Sequence, residues 1–162
     1  MSDEENLVRF LAAQTNIFSY ALAELRAGAK RGHWMWFIFP QVSGLGQSDT
    51  ARFYAIRTID EARAYLAHPV LGERLLQCVD AVLMHRDLSP VAIFGTIDAT
   101  KLKSSMTLFE AASDEPGAFG TCLDVFFAGE RDERTISALM LHPLDRDRPN
   151  RAPGNGLLQI QG

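Results

Sequence analysis

The sequence predicts an all-α protein, built as an irregular multi-helix bundle or a small stack of helical hairpins with little or no β-structure. Apolar residues recur every three to four positions through most of the chain, as helices buried on one side require. Residues that cap helix N-termini precede these stretches, and glycines follow several of them. No alternating-strand segment and no βαβ rhythm occurs, which argues against a doubly wound sheet.

The composition is typical of one globular domain followed by a tail. The chain has 162 residues, of which 47% are hydrophobic and 22% are charged, which is enough to bury a core without disulfides or metals. We expect a single helical domain over residues 1–141. Residues 142–162 form a C-terminal tail in which prolines and glycines alternate with arginines and aspartates.

Charge and cysteine content exclude several classes of protein. A net charge of −4 argues against nucleic-acid binding, because basic side chains that neutralise phosphates supply most of that affinity. No apolar run approaches the roughly 18 residues of a membrane helix, and the acidic residues 1–5 do not resemble a secretory signal. Cys78 and Cys122 lack metal or redox spacing, which predicts two reduced core thiols. We therefore expect a cytoplasmic protein with no membrane and no nucleic-acid partner.

The first helical segment begins at a capping box and ends at a glycine. Ser2 can accept a hydrogen bond from the backbone N–H of Glu5, whose side chain can reach back to Ser2. Apolar residues then follow at helical spacing as far as Leu25. Gly28 is expected just after the helix, because glycine adopts the left-handed conformation easily. Thr15-Asn16 could divide this segment into two helices.

The segment from Lys30 to Gln41 is dominated by large apolar side chains and has no clear period. It could be a buried strand or a short helix buried on all sides. We expect the short helix, because no partner strand is evident elsewhere and a lone strand cannot satisfy its backbone. Pro40 moves Phe39 out of helical geometry in either case.

Short helices with recognisable ends fill the rest of the domain. Ser48 is a good N-cap, and Thr58 with Glu61 forms a second capping box. Ser89-Pro90 begins a short helix, and Asp98 is expected to cap the next one. These helices are joined by short links, which favour antiparallel neighbours.

Several stretches of the chain resemble the family catalogued as domain of unknown function 1810. They are Arg9-Phe10 with Ala13-Gln14, Gly28 through Gln41, Gly44-Leu45-Gly46 with Ser48, Glu61-Ala62 with Tyr65-Leu66, His68-Pro69 with Leu71-Gly72 and Arg74-Leu75, Phe94-Gly95 with Asp98 and Lys101, and Ser104 through Phe109. The long and unusual run HWMWFIFPQ, residues 33–41, argues against a chance match. The resemblance extends to about Met140 and implies a mainly helical fold. It implies no activity, because no function or catalytic residue is established for the family. Members sometimes carry the label calpastatin, but nothing in this chain resembles that disordered protease inhibitor.

Familiar catalytic and cofactor motifs are absent from the sequence. The run Gly44-Leu45-Gly46 lacks the third glycine and the preceding strand of a dinucleotide fold, and neither a P-loop nor a GxSxG elbow occurs. The four histidines have no metal-ligand spacing. The sequence therefore indicates no metal and no cofactor, and it leaves open whether the protein catalyses a reaction.

The most suggestive group of residues lies between positions 30 and 48. Cationic side chains precede an aromatic stretch, and a glycine loop then leads into a capped helix whose free N–H groups could bind an anion. A tryptophan could stack on a flat ring. The binding candidates are Lys30, His33, Trp36, Gly44, Gly46 and Ser48. We expect an anionic, partly aromatic ligand such as a nucleotide-like metabolite.

Two other interpretations stand beside this one. Lys101 and Ser105 lie four positions apart on one helix, where a desolvated lysine could serve as base to a serine nucleophile. On an exposed surface that spacing would have no significance. Alternatively, the aromatic residues between positions 30 and 48 form core or meet a protein partner, and the chain is a helical interaction module without a ligand site.

Overall fold

The computed structural model describes residues 2–115 and 117–141 of the chain. This part contains ten helices and no strand, so the all-α prediction is confirmed. The helices are α1 (Asp3–Gln14), α2 (Phe18–Arg26), α3 (Met35–Ile38), α4 (Asp49–Phe53), α5 (Ile59–Ala67), α6 (Leu71–Leu83), α7 (Pro90–Phe94), α8 (Thr96–Ala112), α9 (Ala118–Phe126) and α10 (Glu133–Leu141). The tail predicted for residues 142–162 lies outside the described residues.

Helix α8 is the centre of an irregular bundle. It packs against α5, α7, α9 and α10, while α6 packs against α2, α5 and α9. Every residue from Ser104 to Phe109 is buried, as expected for a helix enclosed by neighbours on several sides. The N-terminal helix α1 covers α3 and α5 at one edge of this bundle. The first turns of α8 remain at the surface, where they form one wall of the site described below.

Local signals in the sequence located most helix ends correctly. The capping box of Ser2 and Glu5 is present, and the break between α1 and α2 falls at the predicted Thr15-Asn16. Gly28 follows α2 with a φ of 75°, the left-handed conformation that favours glycine. The side chains of Ser48 and Ser89 accept hydrogen bonds from the first turns of α4 and α7.

The apolar segment after Gly32 forms the predicted short helix, α3. Trp34, Met35, Ile38 and Phe39 around it are buried, which explains why the sequence shows no polar face. A single parallel bridge joins Val42 to Ile56 after the helix. It consists of hydrogen bonds from the Ile56 amide to the Gln41 carbonyl and from the Ser43 amide to the Ile56 carbonyl, both 2.8 Å long. This bridge fixes the start of the loop that leads to α4.

Two capping predictions are wrong, because other partners engage the two carboxylates. The hydroxyl of Thr58 accepts from the Glu61 amide, but the Glu61 carboxylate binds the Arg57 amide and the guanidinium of Arg9 instead of completing a box. Asp98 does not cap α8, since that helix begins at Thr96 directly after Gly95. Ion pairing with a lysine engages the Asp98 side chain instead.

The two cysteines are buried free thiols, as predicted. Burial raises the pKa of both Cys78 and Cys122 to about 12. Such thiols are weak nucleophiles near neutral pH and belong to the core. Among the helices that the structure describes, none is long and apolar enough to cross a membrane.

Candidate functional site

Two hollows adjoin each other at the side chain of Trp36, with Thr96 and Ile97 as their other shared walls. The larger hollow has a volume of about 540 Å³ and lies between the loop of residues 41–48, the start of α8 and the start of α10. It is lined by Trp36, Gln41, Leu45, Gly46, Gln47, Ser48, Ala51, Thr96, Ile97, Thr100, Lys101, Ser104, Asp132 and Arg134. The smaller hollow, of about 440 Å³, is lined by Lys30, His33, Met35, Trp36, Phe94, Gly95, Thr96, Ile97 and Asp98.

Trp36 lies at this junction because α3 places it opposite the core. Its helix neighbours Met35 and Ile38 are buried, whereas Trp36 remains partly exposed. The ammonium group of Lys101 lies 4.9 Å from the centre of the Trp36 ring, within the range of a cation–π interaction. Lys101 lines the larger hollow only, so the cation and the ring together form one wall of that hollow.

Trp34, two positions earlier, has a structural role. It is 2% exposed, and its indole N–H donates to the Glu24 carboxylate over 2.9 Å. The same carboxylate oxygen accepts from the amides of Arg31 and Gly32. Burial acts to raise the pKa of Glu24, but these hydrogen bonds and the charge of Lys30 outweigh it and lower the pKa below its usual 4.5. Glu24 therefore anchors the loop that carries His33 to α2.

Lys30, which was predicted to bind the anion, is already paired with groups of the protein. Its ammonium group lies 2.8 Å from Asp98, stacks 4.7 Å from the centre of the Trp34 ring and donates to the Gly32 carbonyl. Its side chain is only 6% exposed. Although Lys30 lines the smaller hollow, its charge is balanced, and we assign it the role of holding the start of α8 against the loop before α3.

The glycine loop lines the site but offers fewer backbone donors than expected. The hydroxyl of Ser48 accepts from the Ala51 amide, and α4 has only five residues, the first of them the acidic Asp49. A short helix with an acidic first turn has little positive potential left for a ligand. A Cβ at Gly46 would come within 2.5 Å of the Ala51 Cβ, so close packing of the loop on α4 requires this glycine.

The remaining predicted residues are only partly brought together. His33 is exposed and lines the smaller hollow, while Gly44, with a φ of 97°, lies in the loop beside the larger one and outside its wall. Ser105 is completely buried, and no described residue bonds its hydroxyl. It does not line the larger hollow, whereas Lys101 and Ser104 do. The predicted Lys101–Ser105 pair therefore does not meet at the surface of this hollow.

Two charged residues in this site were not identified from the sequence. The guanidinium of Arg134 donates to the Leu45 carbonyl over 3.2 Å and, within the described residues, pairs with no carboxylate. Asp132 precedes α10, and one of its carboxylate oxygens accepts from the amide and hydroxyl of Thr135. Both residues line the larger hollow together with Trp36. They lie about a hundred positions from Trp36 in the sequence, so only the packing of α10 on α8 brings them to it.

The site combines an aromatic wall with two cations, Lys101 and Arg134, and several neutral hydrogen-bonding groups. Such a set can bind an anion by charge-assisted hydrogen bonds while a ring stacks on tryptophan. In the described part of the chain, no group of histidine, cysteine or acidic residues is arranged to hold a metal ion.

Comparisons with known proteins support the fold but carry no function. A family model described as protein of unknown function (DUF1810) matches residues 4–139. The crystal structure of the conserved hypothetical protein Rv1873 from Mycobacterium tuberculosis is 46% identical in sequence and has a TM-score of 0.82. The similarity covers 84% of this chain and 97% of that one. No curated protein matches the chain.

Proposed function

This chain belongs to the DUF1810 family of proteins of unknown function, and from that starting point we propose that it binds an anionic small molecule with an aromatic ring. A nucleotide-like metabolite has the required chemistry. The ligand occupies the two hollows at Trp36, with its anionic group in the larger hollow and its ring in the smaller one.

One observation carries this proposal: Trp36 shares a hollow with Lys101 and Arg134. Lys101 is 25% exposed and lies 3.8 Å from Asp98, a longer ion pair than the one Asp98 makes with Lys30. Arg134 binds only a neutral carbonyl among the described residues. Both cations are therefore available to bind a phosphate or carboxylate. Lys101 would bind it as a point charge, and Arg134 through the planar, two-pronged guanidinium group.

The ring is assigned to the smaller hollow because Lys101 lines only the larger one. The other walls of the smaller hollow include Met35, Phe94 and Ile97, which supply an apolar surface. Ile97 is 72% exposed, so its side chain is accessible to a ligand in this hollow. A ring between Trp36 and Ile97 removes apolar surface from water on both sides.

The test is a thermal-shift and calorimetric screen with nucleoside phosphates, phosphorylated metabolites and aromatic carboxylates. A ligand at about 100 times its Kd stabilises the fold by about 2.7 kcal/mol through mass action, which a melting curve resolves. We expect Lys101→Gln and Arg134→Gln to reduce the shift strongly. Lys103→Gln is the matched control, because Lys103 lies on the same helix but pairs with Glu130 and does not line the hollow.

A screen without any stabilising ligand would contradict the proposal and favour the interaction module. Equal shifts in the Lys101→Gln and Lys103→Gln variants would also contradict it, because binding would then lie elsewhere.

We also propose a cytoplasmic location, which the two buried free thiols support, since reducing compartments keep such cysteines unpaired.

A further inference from the structure

The larger hollow contains an acidic side chain that a simple anion site would not need. Asp132 lines it together with Lys101 and Arg134. A carboxylate beside a bound phosphate or carboxylate repels it, and this repulsion weakens any ligand that offers only negative charge. The presence of Asp132 therefore needs a separate reason.

The structural role of Asp132 accounts for one of its two oxygens. Oδ2 accepts from the Thr135 amide over 2.9 Å and from the Thr135 hydroxyl over 2.6 Å. Asparagine and serine cap helices about as well as aspartate does, so this role requires neither the second oxygen nor the charge. Within the described residues, no lysine or arginine forms an ion pair with Asp132, and Oδ1 accepts no hydrogen bond.

The carboxylate is also held in one position. The Asp132 amide donates to the hydroxyl of Thr107 over 2.9 Å, and both Thr107 and Thr135 are buried. Backbone and side chain are thus both fixed by groups of the core. An acceptor held this rigidly beside a hollow loses little entropy when it binds a ligand.

We propose that Asp132 selects ligands that carry a hydrogen-bond donor close to their anionic group. This inference rests on the proposed function of the hollow. A sugar hydroxyl donates to Oδ1, while Lys101 and Arg134 bind the anion. A site built around such an acceptor discriminates against analogues that lack the donor, because the bound ligand then displaces water from the half-buried carboxylate without replacing its hydrogen bond. A nucleoside phosphate meets this requirement, whereas an aromatic acid without a donor near its carboxylate does not.

The experiment uses adenosine 5′-monophosphate and inorganic sulfate, which carries no proton near neutral pH, as probes in titration calorimetry. In Asp132→Asn, the affinity for the nucleotide falls about tenfold or more, the effect of losing a hydrogen bond to a charged acceptor. The affinity for sulfate rises in the same variant, because the repelling charge is gone. Glu133→Gln is the control: it removes an equal charge one residue away, from an exposed side chain that does not line this hollow.

Two analogues identify the donor. The 2′,3′-dideoxy nucleotide lacks the sugar hydroxyls, and we expect it to bind the wild type about tenfold more weakly than the parent and to be insensitive to Asp132→Asn. Purine riboside 5′-monophosphate, which lacks only the base amino group far from the phosphate, is the control and should respond to Asp132→Asn as the parent does. Asp132→Ser, which keeps a capping oxygen, replaces Asp132→Asn if the latter unfolds.

The outcomes separate this inference from the function on which it rests. If the wild type binds no nucleotide and no other member of the screen, the proposed function fails. If the wild type binds the nucleotide but Asp132→Asn leaves the ratio of nucleotide to sulfate affinity unchanged, only the role of Asp132 is overturned. Equal binding of the parent nucleotide and the 2′,3′-dideoxy analogue overturns it as well.

Discussion

Lys30 and Lys101 show how the surroundings of a side chain decide what its charge can do. Both ammonium groups stack on a tryptophan, and both face the same carboxylate, Asp98. The Lys30 side chain is 6% exposed and lies 2.8 Å from that carboxylate, whereas the Lys101 side chain is 25% exposed and lies 3.8 Å from it. Only the second is therefore suited to a ligand. The sequence offered both as candidates but could not show which one would be paired internally.

Glu24 carries a prediction about pH. Its pKa is lowered in the folded protein, so its contribution to stability is present above its usual value of 4.5 and is lost as the pH falls through the folded value. Glu24→Gln weakens the three hydrogen bonds to the loop before α3. We expect a loss of about 1–3 kcal/mol in the free energy of unfolding near neutral pH. The difference between wild type and variant should shrink as the pH falls below 4.5.

Urea unfolding across this pH range measures that difference, with Glu73→Gln on the exposed side of α6 as the control. The control should follow the wild type at every pH, since surface substitutions usually change stability by less than about 0.5 kcal/mol. A difference for Glu24→Gln that stays constant down to acidic pH would mean that the carboxylate charge does not hold the loop.

At the level of the helices, local signals in the sequence predicted most helix ends, and they failed where a carboxylate forms an ion pair with a distant cation. Ser2, Ser48 and Ser89 cap the helices that follow them because a cap needs only the next three residues. Asp98 and Glu61 looked like members of caps too. Each is drawn away by a cation from another part of the chain, and such partners cannot be inferred from local spacing.

The close approach of α5 and α6 depends on Gly72. A Cβ built at this position would lie 2.1 Å from the Leu66 carbonyl oxygen, a backbone atom that cannot rotate away. Gly72→Ala must therefore shift one helix relative to the other, and we expect it to lower the free energy of unfolding by about 1–3 kcal/mol. Helix propensity alone would give a gain, because alanine is a better helix former than glycine by about 1 kcal/mol.

Chemical denaturation decides between these opposite signs. Asp80→Ala, at an exposed position of the same helix, introduces the same residue without the clash and should be nearly neutral. An increase in stability for Gly72→Ala would show that the two helices can separate at little cost.

For the whole molecule, the site is assembled from parts of the chain that no local pattern connects. Trp36 comes from α3, Lys101 from the second turn of α8 and Arg134 from α10. The family resemblance and the aromatic run pointed to the region of Trp36, whereas Lys101 was a candidate only because of its spacing to Ser105. Arg134 and Asp132 gave no sign of a place in the site, because an aspartate or an arginine at a helix start is usually a cap or a surface residue. Their role depends on how α10 packs on α8.

A chain of polar contacts connects the N-terminal helix to the loop of the larger hollow. The Arg9 guanidinium donates to the carbonyls of Phe53 and Ala55 and pairs with the buried Glu61 at 3.0 Å. Ile56, which follows Ala55 in the chain, forms the bridge with Val42 at the start of that loop. Arg9 and Glu61 therefore brace the segment on which the loop rests, although neither lines the hollow.

The brace predicts both a coupled loss of stability and a local opening. Arg9→Met or Glu61→Met leaves a mostly buried charge without its partner and should cost about 3 kcal/mol each, since removing one member of a buried pair is strongly destabilising. The double variant should cost less than the sum of the two single variants, by about 1–3 kcal/mol.

The local opening is measured by amide exchange. In Glu61→Met, the Ser43 amide, which is bonded to the Ile56 carbonyl, should exchange with deuterium faster than in the wild type. The Lys30 amide, which is bonded to the Ile93 carbonyl, is the control and should change little. Denaturation curves and amide exchange test the two parts separately. Additive stabilities together with unchanged protection of Ser43 would mean that the loop is held by its own packing, and that α1 only covers the core.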